Sequence, residues 1–433
     1  MITDKINNRF RGIKGGLFSE VVKADVGDAA GTLIENGYDV LAWADPFLPD
    51  PSLPESVKKA MLEAVSSGLP GHYTMPIGST SLRRAVAEKC ARVNGLKVDP
   101  SRNVLITPGS DSGLLFAMEP FLAEGDEVLV PDPSYPSNFL NCRLCGAKAM
   151  HVPLREEAGF QFERDSFEKA LTPRTKMVLV TNPNNPTGTV FTRESWEMLS
   201  RFIVEHDLVL ICDQAFEDHI FDGREMITPA ALPDMWERTV TVFSLSKGFG
   251  LSGLRIGYLV ADDRLMDIYY GAAVNVLGAP NTLAQIGAEA ALRDPAILPA
   301  YTKILERRRR TAYEIFTSVP GVRMQMPQSG ILSWVYVGAI GTGQEVADRL
   351  MDTAHVLVNA GQNYGEQGRD YLRIVHGCYA DDEHARQVFL RIAEALTDLA
   401  KKSITKGKKL LSKKSSAGKS WPPIRPDSPK TQL

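Results

Sequence analysis

The residues best placed to do chemistry in this chain fall within SLSKGFGLSGLRIGY, residues 244–258. Lys247 lies there among hydroxyls and glycines, immediately after Val240–Ser244, an apolar run that reads as a buried strand. Solubility does not call for a lysine at such a place. Schiff-base chemistry does, because the amine must be partly desolvated to become neutral and nucleophilic. Ser244, Ser246 and Arg255 offer hydroxyl and guanidinium donors suited to a phosphate. Gly248, Gly250 and Gly253 spell G-x-G-x-x-G. A dinucleotide fingerprint, however, needs a helix next and an acid about 20 residues on, and here the strand-like LRIGYLV follows. NPNNPTG, residues 182–188, ends another apolar run and holds the Asn185 amide in a proline-bounded turn. ICDQAF, residues 211–216, puts Asp213 at the mouth of a third. A carboxylate there is costly unless it faces a cation, such as a protonated pyridine nitrogen; the plainer reading of Asp213 is a helix cap.

The elements that must position these groups are legible as alternating runs. Val104–Thr107, Glu127–Val130, Ala147–Val152, Met177–Thr181, Leu208–Cys212, Val240–Ser244 and Ile256–Val260 are short and nearly continuously apolar, with helical segments between them. That is the pattern of an α/β domain whose mostly parallel sheet is covered on both faces, and such sheets bind ligands beyond the strands' carboxyl ends. Further on, Pro299–Thr317 has helical periodicity, and Ile331–Val337, Val356–Asn359 and Tyr371–Val375 read as strands. Arg307–Arg310, within that helix, reads as a solvated face.

The 433 residues are 44% hydrophobic and 23% charged, which suits a globular chain of two or three domains. The net charge of −3 hides an asymmetry: the last 33 residues carry +9, and the first 400 carry −12. An acidic body of this kind has no nucleic-acid footprint. No 18-residue apolar run and no apolar leader is visible, so a cytoplasmic protein without membrane partners is expected. Five cysteines are too few for a disulfide scaffold, and the Cys142/Cys145 pair lacks the companions of a zinc site, so no metal is expected.

Taken in order, ADP (44–46), Tyr73, TPGSDSG (107–113), DPSYPS (132–137), NPNNPTG, DQAF, SLSK, GLRIG and YLRI (371–374) resemble the class I/II aminotransferases, the fold-type I enzymes that use pyridoxal 5′-phosphate (PLP). The resemblance covers about residues 38–400. It implies an α/β fold: a large domain with a mostly parallel seven-stranded sheet, and a smaller α+β domain. The corresponding divisions are an arm and part of the small domain over 1–55, the PLP-binding domain over 56–298, the small domain over 299–400 and a basic, disordered tail over 401–433.

Residue roles follow from the same resemblance. Lys247 is similar to the catalytic lysine that holds the cofactor as an imine and then moves a proton at the substrate Cα. Asp213 is similar to the partner of the pyridine N1–H, and Asn185 to the amide that donates to O3′ and reaches the substrate. Tyr135 resembles the ring that stacks on the pyridine. Gly109, Ser110 and Asp111, with Ser244 and Arg255, resemble the phosphate cup, Asp111 through its backbone only. Tyr73 resembles the tyrosine that reaches the phosphate of the neighbouring subunit, which implies a homodimer with shared sites. Arg373, Asn185 and Ala44 resemble the substrate-binding set, with Arg373 on the α-carboxylate.

Two departures matter. Phe216 stands where the family usually has a tyrosine donating to O3′, and phenylalanine cannot donate. Residues 271–284 contain no arginine of the kind that binds a side-chain carboxylate in dicarboxylate-specific relatives, so aspartate is not expected as primary substrate. The expected activity is amino transfer between an L-amino acid and a 2-oxo acid. The alternative at the same site is a lyase, cyclase or oxidative deaminase, an option that Phe216 strengthens. A PLP-sensing regulator is disfavoured, because residues 1–45 are too short for a winged helix-turn-helix.

Overall fold

The computed structural model describes residues 5–11 and 29–416. Residues 1–4 and 12–28 of the expected arm, and 417–433 of the expected tail, lie outside the described residues. Thirteen strands follow in chain order: β1 (Asp39–Val40), β2 (Val104–Thr107), β3 (Glu127–Asp132), β4 (Lys148–Pro153), β5 (Thr175–Thr181), β6 (Val209–Gln214), β7 (Thr239–Ser244), β8 (Gly257–Val260), β9 (Arg323–Met324), β10 (Leu332–Tyr336), β11 (Val356–Leu357), β12 (Asn359–Ala360) and β13 (Tyr371–Val375).

Seven of them form one sheet in the order β2-β8-β7-β6-β5-β3-β4. Only β8 is antiparallel to its neighbours, β2 and β7; the other pairings are parallel. The fold is therefore α/β with a mostly parallel seven-stranded sheet. β2, β3 and β7 are buried at every residue, which is why they read as nearly continuous apolar runs. Val178, Val180, Leu210 and Cys212 pack one face against Trp196, Phe202 and Phe191, while Leu105, Val128 and Val242 meet Leu114, Met118 and Tyr269 on the other. Burial of each such side chain contributes about 1.5–3 kcal/mol.

A second, antiparallel sheet runs β12-β13-β10-β9, and β1 pairs in parallel with β11. Helices Ile297–Thr317, Gly343–Ala354 and Asp382–Ser416 cover this smaller α+β unit. The segment expected as one strand over 356–359 is two short strands, since β11 pairs with β1 and β12 with β13.

Arg307–Arg310 does not form a solvated face. Arg307 and Arg310 are exposed, but Arg308 and Arg309 are 2% and 1% exposed. They share the inner stripe of their helix with Leu305, Ala312 and Phe316. Each buried guanidinium is paired: Arg308 Nε donates to Asp382 Oδ1 (2.8 Å), and Arg309 Nη1 donates to Asp222 Oδ2 (2.8 Å) and to Pro327 O (2.8 Å). Arg309 also lies over the Phe221 ring at 4.3 Å.

The helix that begins at Asp382 continues through residues 401–416, where composition predicted disorder. Lys and Leu, which recur in this stretch, are good helix formers, and the first proline after Pro327 comes only at Pro422. All five cysteines are buried free thiols. Among the described residues no helix is long and apolar enough to cross a membrane, and no cluster of metal-ligating side chains occurs.

Candidate active site

Because β8 runs against the rest, its entrance lies at the same edge of the sheet as the exits of the other six strands. The expected residues collect along that edge. Gly109, Ser110 and Asp111 follow β2, Tyr135 follows β3, Asn185 follows β5, Asp213 is on β6, Ser244 ends β7 just before Lys247, and Arg255 precedes β8.

Asp213 is buried, and its carboxylate accepts from the Ala215 backbone N–H (3.1 Å) and from Thr181 Oγ1 (3.3 Å). It caps no helix. Burial, reinforced by the negative charge of Asp111, pushes its pKa up to about 7. A carboxylate that is uncomfortable as an anion in this setting fits a cationic N–H opposite it.

Lys247 is half-buried and donates from Nζ to Ala44 O. Burial lowers its pKa; Asp45 and Asp111 oppose that effect, and Arg373 and Arg255 add to it. A lysine biased toward the neutral amine is the state a nucleophile or base requires.

The cup residues fit a phosphate. Gly109 precedes helix Ser110–Met118 with φ +86°, and a Cβ there would come within 2.4 Å of Arg255 Nη2, so the guanidinium lies directly against the turn. The helix N-terminus and this guanidinium together favour an anion. Arg255 itself sits at φ +53° and donates from Nη1 to Ser252 O (3.1 Å). The Asp111 carboxylate stays beside the cup: it lies 3.8 Å from Arg255 and accepts from Tyr135 Oη (2.9 Å). Ser244 is buried beneath, its Oγ accepting from the Ser246 N–H (3.2 Å).

Arg373 comes from the second sheet. It is 5% exposed, and it donates from Nη1 to Asn185 Oδ1 (3.3 Å) and from Nη2 to Ala42 O (2.5 Å). Its buried Nε has no partner among the described residues, which leaves a donor for an incoming carboxylate. Phe216 is buried in apolar company with Leu41, Ile331 and Ile374, its ring against Gly330. Tyr73 does not join these groups within its own chain: its side chain is 96% exposed. Its loop is nonetheless fixed, since Thr282 Oγ1 donates to His72 O (2.8 Å) and Thr74 Oγ1 donates to Pro280 O (3.3 Å).

Several contributors were not foreseen. Tyr364 lies under the Arg373 guanidinium at 4.8 Å, and Asn359 Nδ2 donates to the same Ala42 carbonyl (2.6 Å). Asp45 is the largest acidic influence on Lys247. The only sequence signal was their proximity to ADP and to the glycine-rich stretch before YLRI.

Residues 41–392 match the family model for aminotransferase class I and II. The chain is 33% identical over 330 residues to an aromatic-amino-acid aminotransferase of Thermococcus litoralis, covering 75% of this chain and 84% of the relative. It is 32% identical over 368 residues to an arginine–pyruvate transaminase of Pseudomonas aeruginosa, covering 84% and 92%. Among solved structures it is similar to the aspartate aminotransferase of Thermus thermophilus with maleate (TM-score 0.80, 29% identity, 90% of this chain and 99% of the other). It is also similar to an alanine aminotransferase of Pyrococcus furiosus (TM-score 0.80, 28% identity, 91% and 100%).

Proposed function

The chain belongs to the class I and II aminotransferases, PLP-dependent enzymes of amino-acid transamination, and from that premise we propose that Lys247, Asp213, Asn185, Arg255 and Arg373 form its active site. What supports this most directly is a convergence. The Lys247 amine and the Arg373 guanidinium both donate to carbonyls of one short segment, Ala44 and Ala42 respectively. An amino acid held at one would present its Cα to the other.

Bound PLP supplies an electron sink for the pair released when a bond to Cα breaks. The protein's groups do the rest. Arg255 and the N–H groups of Ser110 and Asp111 hold the phosphate, with Gly109 and Ser244 shaping the cup. Asp213 holds a proton at the pyridine nitrogen, and Tyr135 packs against the ring. Arg373 and Asn185 take the α-carboxylate as a two-point clamp, with Ala44 closing that side. Lys247 Nζ, biased toward the neutral amine, would remove the proton from Cα and return one at the cofactor carbon on the far side of the substrate nitrogen. The same clamp suits a 2-oxo acid, whose carboxylate is alike, so the reverse half-reaction uses the same residues.

The working unit in this proposal is a homodimer with shared sites. Tyr73 is held outward by a fixed loop, and Leu62, Val65, Leu69 and Met75 are exposed with it. With no arginine in residues 271–284, a donor lacking a side-chain carboxylate is favoured over aspartate.

The test is a spectral screen of the purified holoenzyme against the twenty amino acids, followed by 2-oxo acids. Bleaching of the near-visible band by an amino acid alone, and its return with a 2-oxo acid, is the expected result. Ammonia release without such a cycle would replace transfer by elimination or deamination.

A further inference from the structure

We propose that Asp132 is a positioning residue for substrate binding: it ties the loop bearing Tyr364 to the large sheet, and so sets the Arg373 guanidinium for the substrate carboxylate. This deepens, and rests on, the assignment of Arg373 above.

Asp132 is the last residue of β3 and is 1% exposed. Its carboxylate reaches out of the large sheet to a segment more than two hundred residues later. Oδ2 accepts from the Glu366 N–H (2.9 Å), and Oδ1 accepts from the Gln367 N–H (3.2 Å). His151 Nδ1 lies 2.7 Å from Oδ2, and the attraction raises the His151 pKa. Backbone N–H donors to a buried carboxylate make stronger hydrogen bonds than neutral pairs.

The loop is shaped to receive this carboxylate. Gly365 has φ +129°, and a Cβ there would lie 2.0 Å from Asp132 Oδ1. Only glycine allows the approach. One residue earlier, Tyr364 O accepts from the Ser134 N–H (2.8 Å), so three loop positions, 364, 366 and 367, are fastened to residues 132–134. Tyr364 is 3% exposed, and its ring carries the Arg373 guanidinium at 4.8 Å while meeting Trp334 edge-on at 5.9 Å. A guanidinium held over a fixed ring is confined to one place, because cation–π contact and bidentate pairing both depend on where the group sits.

Asp132 is three residues before Tyr135, the ring assigned to the cofactor. One short segment thus references both the cofactor shelf and the substrate clamp. Loss of the Asp132 contacts should leave PLP in place but let Tyr364 and Arg373 drift.

The experiment compares Asp132→Asn, Gly365→Ala and Arg373→Gln as holoenzymes, through steady-state kinetics and absorption spectra. An asparagine offers one acceptor where two N–H groups need acceptance. The expected result for Asp132→Asn is a KM raised about ten- to hundredfold for both the amino acid and the 2-oxo acid, with kcat within about threefold and the PLP band unchanged. Gly365→Ala, which displaces the loop from the other side, should give the same split, and the double variant should be no worse than the poorer single one. Should either variant fail to fold, the other still decides. An unchanged KM, a fall in kcat alone or loss of the PLP band would overturn the proposal. Arg373→Gln separates the two levels: if it leaves KM unchanged, the substrate clamp itself is misassigned, whereas if it raises KM and Asp132→Asn does not, only the role of Asp132 fails.

Discussion

Arg373 Nη1 donates to Asn185 Oδ1 across 3.3 Å, joining β13 of the small sheet to the loop after β5 of the large one. This bond spans the two units at the point assigned to the substrate carboxylate. A carboxylate arriving there competes with Asn185 Oδ1 for the guanidinium, so binding and the relative placement of the two sheets are energetically linked.

Removal of the Lys247 amine tests the site most directly. Lys247→Ala should lose the near-visible absorption that borohydride traps, and transamination should fall by at least about a thousandfold. A trappable chromophore surviving in that variant would place the nucleophile elsewhere.

The raised pKa of Asp213 gives a pH signature in the cofactor-free protein. Its ordinary value is 3.8, and burial lifts it to about 7 in the folded chain. Between these values the folded chain holds a proton that the unfolded chain has released. This group therefore favours folding at low pH, and its contribution is lost as pH climbs through that window. Cofactor-free Asp213→Asn should lack this component, so urea melts at pH 5 and pH 8 should show a smaller loss of stability than in the parent. PLP affinity of the variant should fall, since the amide cannot hold the ring proton by charge.

Phe216 offers no hydrogen bond to the cofactor. Protonated chromophore should persist well above pH 7 in the parent enzyme, and Phe216→Tyr should move its absorbance titration to lower pH. Coincident titrations for the two proteins would show that position 216 does not face the ring oxygen.

The exposed apolar residues beside Tyr73 should be covered by a second copy. Leu69→Glu with Met75→Glu should shift the protein toward monomer in sedimentation and weaken PLP retention, because the cup would lose the partner's tyrosine. A parent protein that sediments as a monomer at micromolar concentration would remove the basis for shared sites.

Much of this architecture was legible in the residues. Val104–Thr107 and Tyr371–Val375 were bounded to the residue, and β5 and β6 began or ended within two, because buried strands carry short, mostly apolar runs. Asn185, Asp213 and Lys247 stood out because polar groups that end such runs are costly unless used. Arg308 and Arg309 were misread because a run of four cations looks like surface. Their register with Leu305, Ala312 and Phe316 already marked an inward stripe, but the neutralising Asp222 and Asp382 are far away in sequence. Asp132 and Tyr364 were invisible as a unit for the same reason: their contacts exist only after two sheets have met.

The reversal of β8 has a consequence for how this protein tolerates change. Lys247 and Arg255, eight residues apart and assigned to the aldehyde and the phosphate of one cofactor, lie on a single excursion between neighbouring strands. Both anchors are fixed by the sheet, so the excursion acts as a ruler whose calibration is its residue count. Insertions should be far more damaging there than exchanges of side chain, and a graft of this catalytic edge onto another scaffold would have to carry the antiparallel strand with it.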